Sequence, residues 1–237
     1  MTGAAGAGAR TGNHGIGSRT TTRALLTGGV VAMPLYVVVS VAQGATRDGF
    51  EFSKHAASLL TNGTLGWIQV VNFLVTGSLV VGAAVGVRRA LAQGTGRIWA
   101  PRLLAAFGVG MIGGGLFRPD AALGFPPGTD ADAAEISWHG LLHFVLGGLG
   151  FVALVAASFI LARRFSQEGH RGWAVYSVIA GVVFLSAFAG LASGSGSEYP
   201  VVTLAFWLAV TFIGVWLSAL SALLQRSLAP DAPGSGG

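Results

Sequence analysis

The chain has 237 residues, 52% of them hydrophobic and only 10% charged, with a formal net charge of +5. That is far too apolar and charge-poor for an ordinary soluble domain, and it marks an integral membrane protein. There is no cysteine, which excludes disulfides, thiol catalysis and thiolate metal sites.

A helix needs about 18 or more apolar residues to cross roughly 30 Å of hydrocarbon, whereas barrel strands are about half that length and alternate in polarity. The apolar runs here have the helical length, and a helix satisfies its own backbone in lipid. Residues 1–22, a Gly/Ala/Thr tract with scattered arginine, lack an apolar period and are expected to form a disordered tail. The first span is expected at Ala24–Gly44; it is long and five more follow, so it reads as an uncleaved anchor despite the cleavage-like "AQG" of Ala42–Gly44. In the loop after it, Phe52, Ala56, Leu59 and Leu60 recur at helical spacing. They predict a short amphipathic helix lying on the membrane surface and starting near Asp48 and Glu51.

The second span is expected at Trp67–Val87 and the third, the shortest, at Trp99–Phe117. The next loop carries Pro119, Pro126 and Pro127, whose restricted dihedrals predict a stiff segment that fixes Asp120 at the end of the third span. Spans four to six are expected at Ser137–Leu161, Trp173–Ser193 and Pro200–Leu224, with residues 227–237 as a second disordered tail. The fold class is thus all-α, a single six-helix bundle over residues 23–226. Small-xxx-small pairs at Gly82/Gly86, Gly110/Gly114 and Ala153/Ala157 predict tight helix packing.

The basic residues sort by side. Arg88, Arg89, Arg97, Arg102, Arg163, Arg164, Arg171 and those of the two tails fall on one face, and only Arg47, Lys54 and Arg118 on the other. By the positive-inside rule both termini are cytoplasmic and the first and third loops are outer. This placement leaves no nucleic-acid surface. The preference for Gly, Ala and Arg over lysine suggests a GC-rich bacterial genome, and hence the plasma membrane.

Polar side chains within spans usually face a bundle interior or a water-filled cavity. Gln69, Asn72 and Thr76 share one face of the second helix, and His55, Ser58, Asp120, Ser137, His139 and His143 lie at or just inside the outer surface. Together they predict an outward-opening pocket beside Trp138, with membrane lipids around it and a lipid-like or small-molecule ligand inside. Residues four apart stack on a helix, so His139 and His143 resemble the helical half of a zinc site. His55 is a candidate third ligand, Asp120 a base or an orienting acceptor, and Ser58 an oxyanion donor, in a zinc-dependent hydrolase of a lipid-like substrate.

Each residue also has a structural reading. His139 can sit at the interface beside Trp138 while His143 donates to a carbonyl; Asp120 can cap a turn; Gln69, Asn72 and Thr76 can bond helices together. Alternatives to catalysis are a solute-binding protein or facilitator and an assembly subunit. No acid lies within a span, which speaks against ion-coupled transport. Haem is not expected, because one helix does not place residues four apart on both faces of a porphyrin; nor is a nucleotide. Oligomeric state is left open.

The stretches "HAASLLTNGTLGWIQVVNF" (His55–Phe73), "GGGLFRPDAALGFPPG" (Gly113–Gly128) and "SWHGLLHF" (Ser137–Phe144) resemble, in order and topology, the membrane family catalogued as domain of unknown function 998. The resemblance implies six spans and singles out His55, Ser58, Gln69, Asp120, His139 and His143, but implies no reaction. A looser, compositional similarity connects Ser58, Asp120 and the three histidines with membrane hydrolases of the alkaline ceramidase and adiponectin receptor type, which hold zinc with such residues.

Overall fold

The structure, a computed structural model, describes residues 8–130 and 136–228. Within them the chain forms helices α1 (Gly8–Thr46), α2 (Gly66–Ala90), α3 (Trp99–Leu116), α4 (Trp138–Gln167), α5 (Arg171–Ala192), the short α6 (Ser195–Glu198) and α7 (Pro200–Ser227), with one 3-10 turn at Ala57–Thr61. Local chemistry sets several of these limits. The Ser137 side chain accepts from the Gly140 N–H at the start of α4, satisfying one of the donors that a helix N-terminus leaves unpaired. Gly169, at φ +80°, turns the chain between α4 and α5, a conformation that costs glycine little. Pro200 opens α7, where its missing N–H is not needed.

The six long helices form a closed ring of antiparallel neighbours in chain order, α7 packing back onto α1. The register shows in pairs of close approach: Gly28 with Leu79, Gly77 with Gly108, Gly110 with Gly150, Gly181 with Ser158 and Gly29 with Ser221. Gln225 near the end of α7 donates to Thr27 Oγ1 at 2.7 Å near the start of the apolar part of α1, so these two ends lie together.

Five of the helices are long and apolar enough to cross a membrane: the Ser18–Thr46 part of α1, α2, α4, α5 and α7. The third expected span, α3, is not among them. It is only 18 residues long, and Arg102 and five glycines (108, 110, 113, 114 and 115) dilute its apolar content. The glycines that weaken its hydropathy let it lie close against α2 and α4.

Two other expectations are corrected. Helix α1 begins at Gly8, so residues 8–22, read as disordered tail, extend the first span as helix; helix adds residues cheaply onto an existing helical end. Residues 1–7, and 229–237 of the second tail, lie outside the described residues. The first loop forms no surface-lying amphipathic helix. Its apolar residues turn inward: Phe50, Leu59, Leu60 and Phe125 make a small second core, flanked by Phe52, Ala122 and Trp207, that closes one end of the ring. Packing against the proline-containing α3–α4 loop and Trp207 of α7 removes this apolar surface from water.

Candidate functional site

Gln69, Asn72 and Thr76 do share one face of α2, and that face is packed on α1. Gln69 Oε1 accepts from Gln43 Nε2 at 2.7 Å and Asn72 Nδ2 at 3.2 Å, and Gln69 Nε2 donates to Ser40 Oγ at 2.9 Å. Asn72 Nδ2 also reaches the Tyr36 carbonyl at 3.1 Å. All of these side chains are buried. The stripe joins two helices by hydrogen bonds, and its members do not line the cavity described below.

His55 is 1% exposed and held on both ring nitrogens. Nδ1 accepts from the Glu51 N–H at 2.9 Å, and Nε2–H donates to the Leu123 carbonyl at 3.0 Å. Its ring packs against those of Phe50 and Phe125, with centroids 5.2 and 5.5 Å away, and its carbonyl accepts from Trp207 Nε1 at 3.0 Å. His55 thereby joins the first loop to the α3–α4 loop through its ring and to α7 through its backbone carbonyl. Arg47 works beside it. Its guanidinium donates to the carbonyls of Leu60 and Asn62 and lies 4.9 Å from the centre of the Phe125 ring. Burial pulls its pKa below the ordinary arginine value. Glu51 is exposed, and its hydrogen bond to Lys54 holds its carboxyl below the usual range.

Asp120 Oδ2 accepts from the Ser137 N–H at 2.9 Å at the start of α4, where a carboxylate also suits the positive end of the helix dipole. A Cβ on Gly140 would stand 2.0 Å from that oxygen, so glycine is required for the carboxylate to sit there. Asp120, Ser137 and His139 border a small hollow of about 350 Å³ with Arg118. His139 stacks on Trp138, ring centroids 3.5 Å apart.

His143 turns another way. Its Nδ1–H is shared between the carbonyls of Gly114 and Phe117, each at 2.9 Å, which are among the unpaired acceptors at the C-terminal end of α3. The ring borders a partly open cavity of about 580 Å³ lined mainly by α1, α3, α4, α5 and α7, with Phe73 of α2. Aromatic rings dominate its wall: Phe107, Phe151, Phe184, Phe188 and Phe206, with Trp207 and Ser58 toward the closed end. Its size falls within the roughly 300–1,000 Å³ of small-molecule sites.

The sequence-predicted pocket is therefore divided among four places. His143 and Ser58 share the large cavity, and Asp120, Ser137 and His139 share the hollow, while His55 and the α2 stripe are interior bonds of the scaffold. Among the described residues, no three of His, Asp or Glu stand close enough to hold one metal ion. The expected trio of His55, His139 and His143 does not converge, because His55 has spent both nitrogens and the other two rings leave α4 toward different neighbours. The inventory shared with ceramidase-type hydrolases thus does not form a common centre. Sequence reasoning missed Trp207, Arg47 and the phenylalanine wall; Phe184 and Phe188, one turn apart on α5, were the available signal.

No curated protein and no solved structure matches this chain. Residues 30–223 match a family described as "Protein of unknown function (DUF998)". That stretch runs from within α1 to within α7 and includes every candidate residue above, and the chain belongs to the DUF998 family.

Proposed function

We propose that this is a six-crossing plasma-membrane protein, both termini cytoplasmic, that binds a lipid-like molecule in the 580 Å³ cavity. The observation that carries this reading is the cavity's lining: it is almost wholly apolar, contains no charged side chain, and has its few polar groups, His143 and Ser58 among them, toward the loop-covered end. Such a wall favours a long apolar body with one small polar end. Binding is a conclusion the lining supports without chemistry. Zinc-dependent hydrolysis is not part of this reading, since the third imidazole is committed elsewhere. A facilitator path through Asn72 is likewise unsupported, since that amide is tied to α1.

The binding test uses wild type and Gly148→Phe. Gly148 borders the cavity, and a Cβ there meets only Phe188 at 3.7 Å, an ordinary contact, so an added ring fills space without breaking the wall. Purified wild-type protein is expected to retain about one long-chain molecule per chain on solvent extraction and mass spectrometry, and the variant several-fold less. Equal retention by the two sinks the binding site.

For the topology, α3 lies antiparallel between α2 and α4, which suits a sixth crossing despite its diluted hydropathy. An even number also agrees with the adjacency of Gln225 and Thr27. The natural absence of cysteine makes this simple to check. In intact cells an impermeant maleimide is expected to label Thr129→Cys and spare Ser227→Cys; labelling of both or neither refutes the arrangement.

A further inference from the structure

Resting on the binding site proposed above, we infer that the cavity selects a neutral long-chain alcohol, whose hydroxyl donates a hydrogen bond to His143 Nε2. The tautomer of His143 is set by α3. Both partners of Nδ1 are carbonyl oxygens, Gly114 and Phe117, which only accept, so Nδ1 carries the proton. In the neutral imidazole Nε2 is then a lone-pair acceptor. It has no hydrogen-bond partner among the described residues, although the residue is only 7% exposed and borders the cavity. An acceptor in an apolar wall is incomplete until something donates to it.

The rest of the lining narrows the donor. No Arg, Lys, Asp or Glu borders the cavity, so an anionic headgroup would have no counter-charge and an ammonium no carboxylate. The polar side chains there are Tyr36, Ser58, His143 and Trp207, and the Trp207 N–H is already given to the His55 carbonyl. A neutral hydroxyl can donate to Nε2 and is the least costly polar end to desolvate in this setting. The apolar body has somewhere to go: from His143 the cavity follows α4 to Leu154, eleven residues on, which is about 16 Å at 1.5 Å per residue. Its far wall includes Phe107, Met33 and Ile213, toward the middle of the ring.

The experiment measures binding of hexadecan-1-ol, hexadecyl methyl ether and hexadecyl phosphate to the purified full-length protein in nanodiscs by native mass spectrometry. The alcohol is expected to bind about tenfold tighter than the ether, which carries the same alkyl chain but has no donor; tenfold corresponds to about 1.4 kcal/mol, the upper part of the range for one hydrogen bond. The phosphate is expected to bind more weakly than the alcohol. A second arm uses His143→Asn, whose side-chain N–H can still serve the α3 carbonyls while the Nε2 acceptor is gone. This variant should unfold near the wild-type midpoint and bind alcohol and ether alike. Wild type binding alcohol and ether equally, or His143→Asn keeping the preference, overturns the assignment and leaves the lipid site standing. Failure of all three probes to bind overturns the lipid site as well. Should His143→Asn not fold, the wild-type alcohol-to-ether ratio decides alone.

Discussion

His55→Ala is expected to destabilise the protein by about 3–5 kcal/mol, measured by denaturant titration in detergent micelles. The side chain is 1% exposed, and its removal empties the space beside the Phe50 and Phe125 rings. It also strips the Glu51 N–H and the Leu123 carbonyl of their partners. Each orphaned group adds a desolvation cost of about 1–3 kcal/mol, so the loss exceeds that of an apolar truncation of the same size. His55→Phe should recover the ring packing but not the hydrogen bonds, and so fall between the two. Trp207 borders the same cluster, and its fluorescence provides a local readout. The competing role for His55 predicts another pattern. A metal-ligand role would instead leave the stability of metal-stripped protein within about 1 kcal/mol of wild type and lower the zinc retained by protein purified without stripping, and that outcome would reinstate the metal centre.

Gly77→Leu is expected to cost about 3 kcal/mol, with Gly77→Ala about half of that, in the same titration. A Cβ on Gly77 would stand 2.6 Å from the Gly108 carbonyl oxygen and 2.8 Å from the Ile112 side chain, and one on Gly108 would stand 2.7 Å from the Gly77 carbonyl. Backbone is met on both sides, so no rotamer change relieves the clash and the helices must separate. Separation of α2 from α3 would also loosen the Gly114 and Phe117 carbonyls that hold His143, so ligand binding should weaken with stability. Gly82→Ala is the control: its Cβ would meet only Leu25 at 3.4 Å, and the better helix propensity of alanine should leave stability unchanged or slightly raised. Equal losses at Gly77 and Gly82 would refute the close crossing of α2 and α3.

The small-residue motifs were informative in kind and incomplete in detail. Gly110 does meet Gly150 across α3 and α4, and Gly86 admits Leu26 from α1. The crossing where backbone meets backbone most closely, Gly77 with Gly108, lies outside the three pairs chosen by spacing. A glycine's spacing along its own helix says nothing about which helix approaches it.

The candidate residues show the same division. Two histidines four apart on α4 do lie on neighbouring turns, as helical geometry demands, but that periodicity leaves side-chain direction free. His143 swings to the unpaired carbonyls at the end of α3, and His139 stacks on Trp138. Asp120 follows the same logic, since the nearest unpaired N–H, that of Ser137, claims it. The amphipathic period of the first loop was real; its apolar residues met a partner in Phe125 from a loop some 65 residues away, which a local pattern does not reveal.

Sequence alone determined that this is a helical membrane protein, where its long helices run, and which polar residues have to find partners. Length, hydropathy and backbone satisfaction in lipid are properties of each segment by itself. Tertiary structure decided which polar residue met which partner: His55 became a bolt between loops, the α2 stripe a seam with α1, and His143 a donor to the carbonyls at the end of α3. Those outcomes depend on competition among unpaired donors and acceptors brought together from distant parts of the chain, and that competition exists only once the ring has closed.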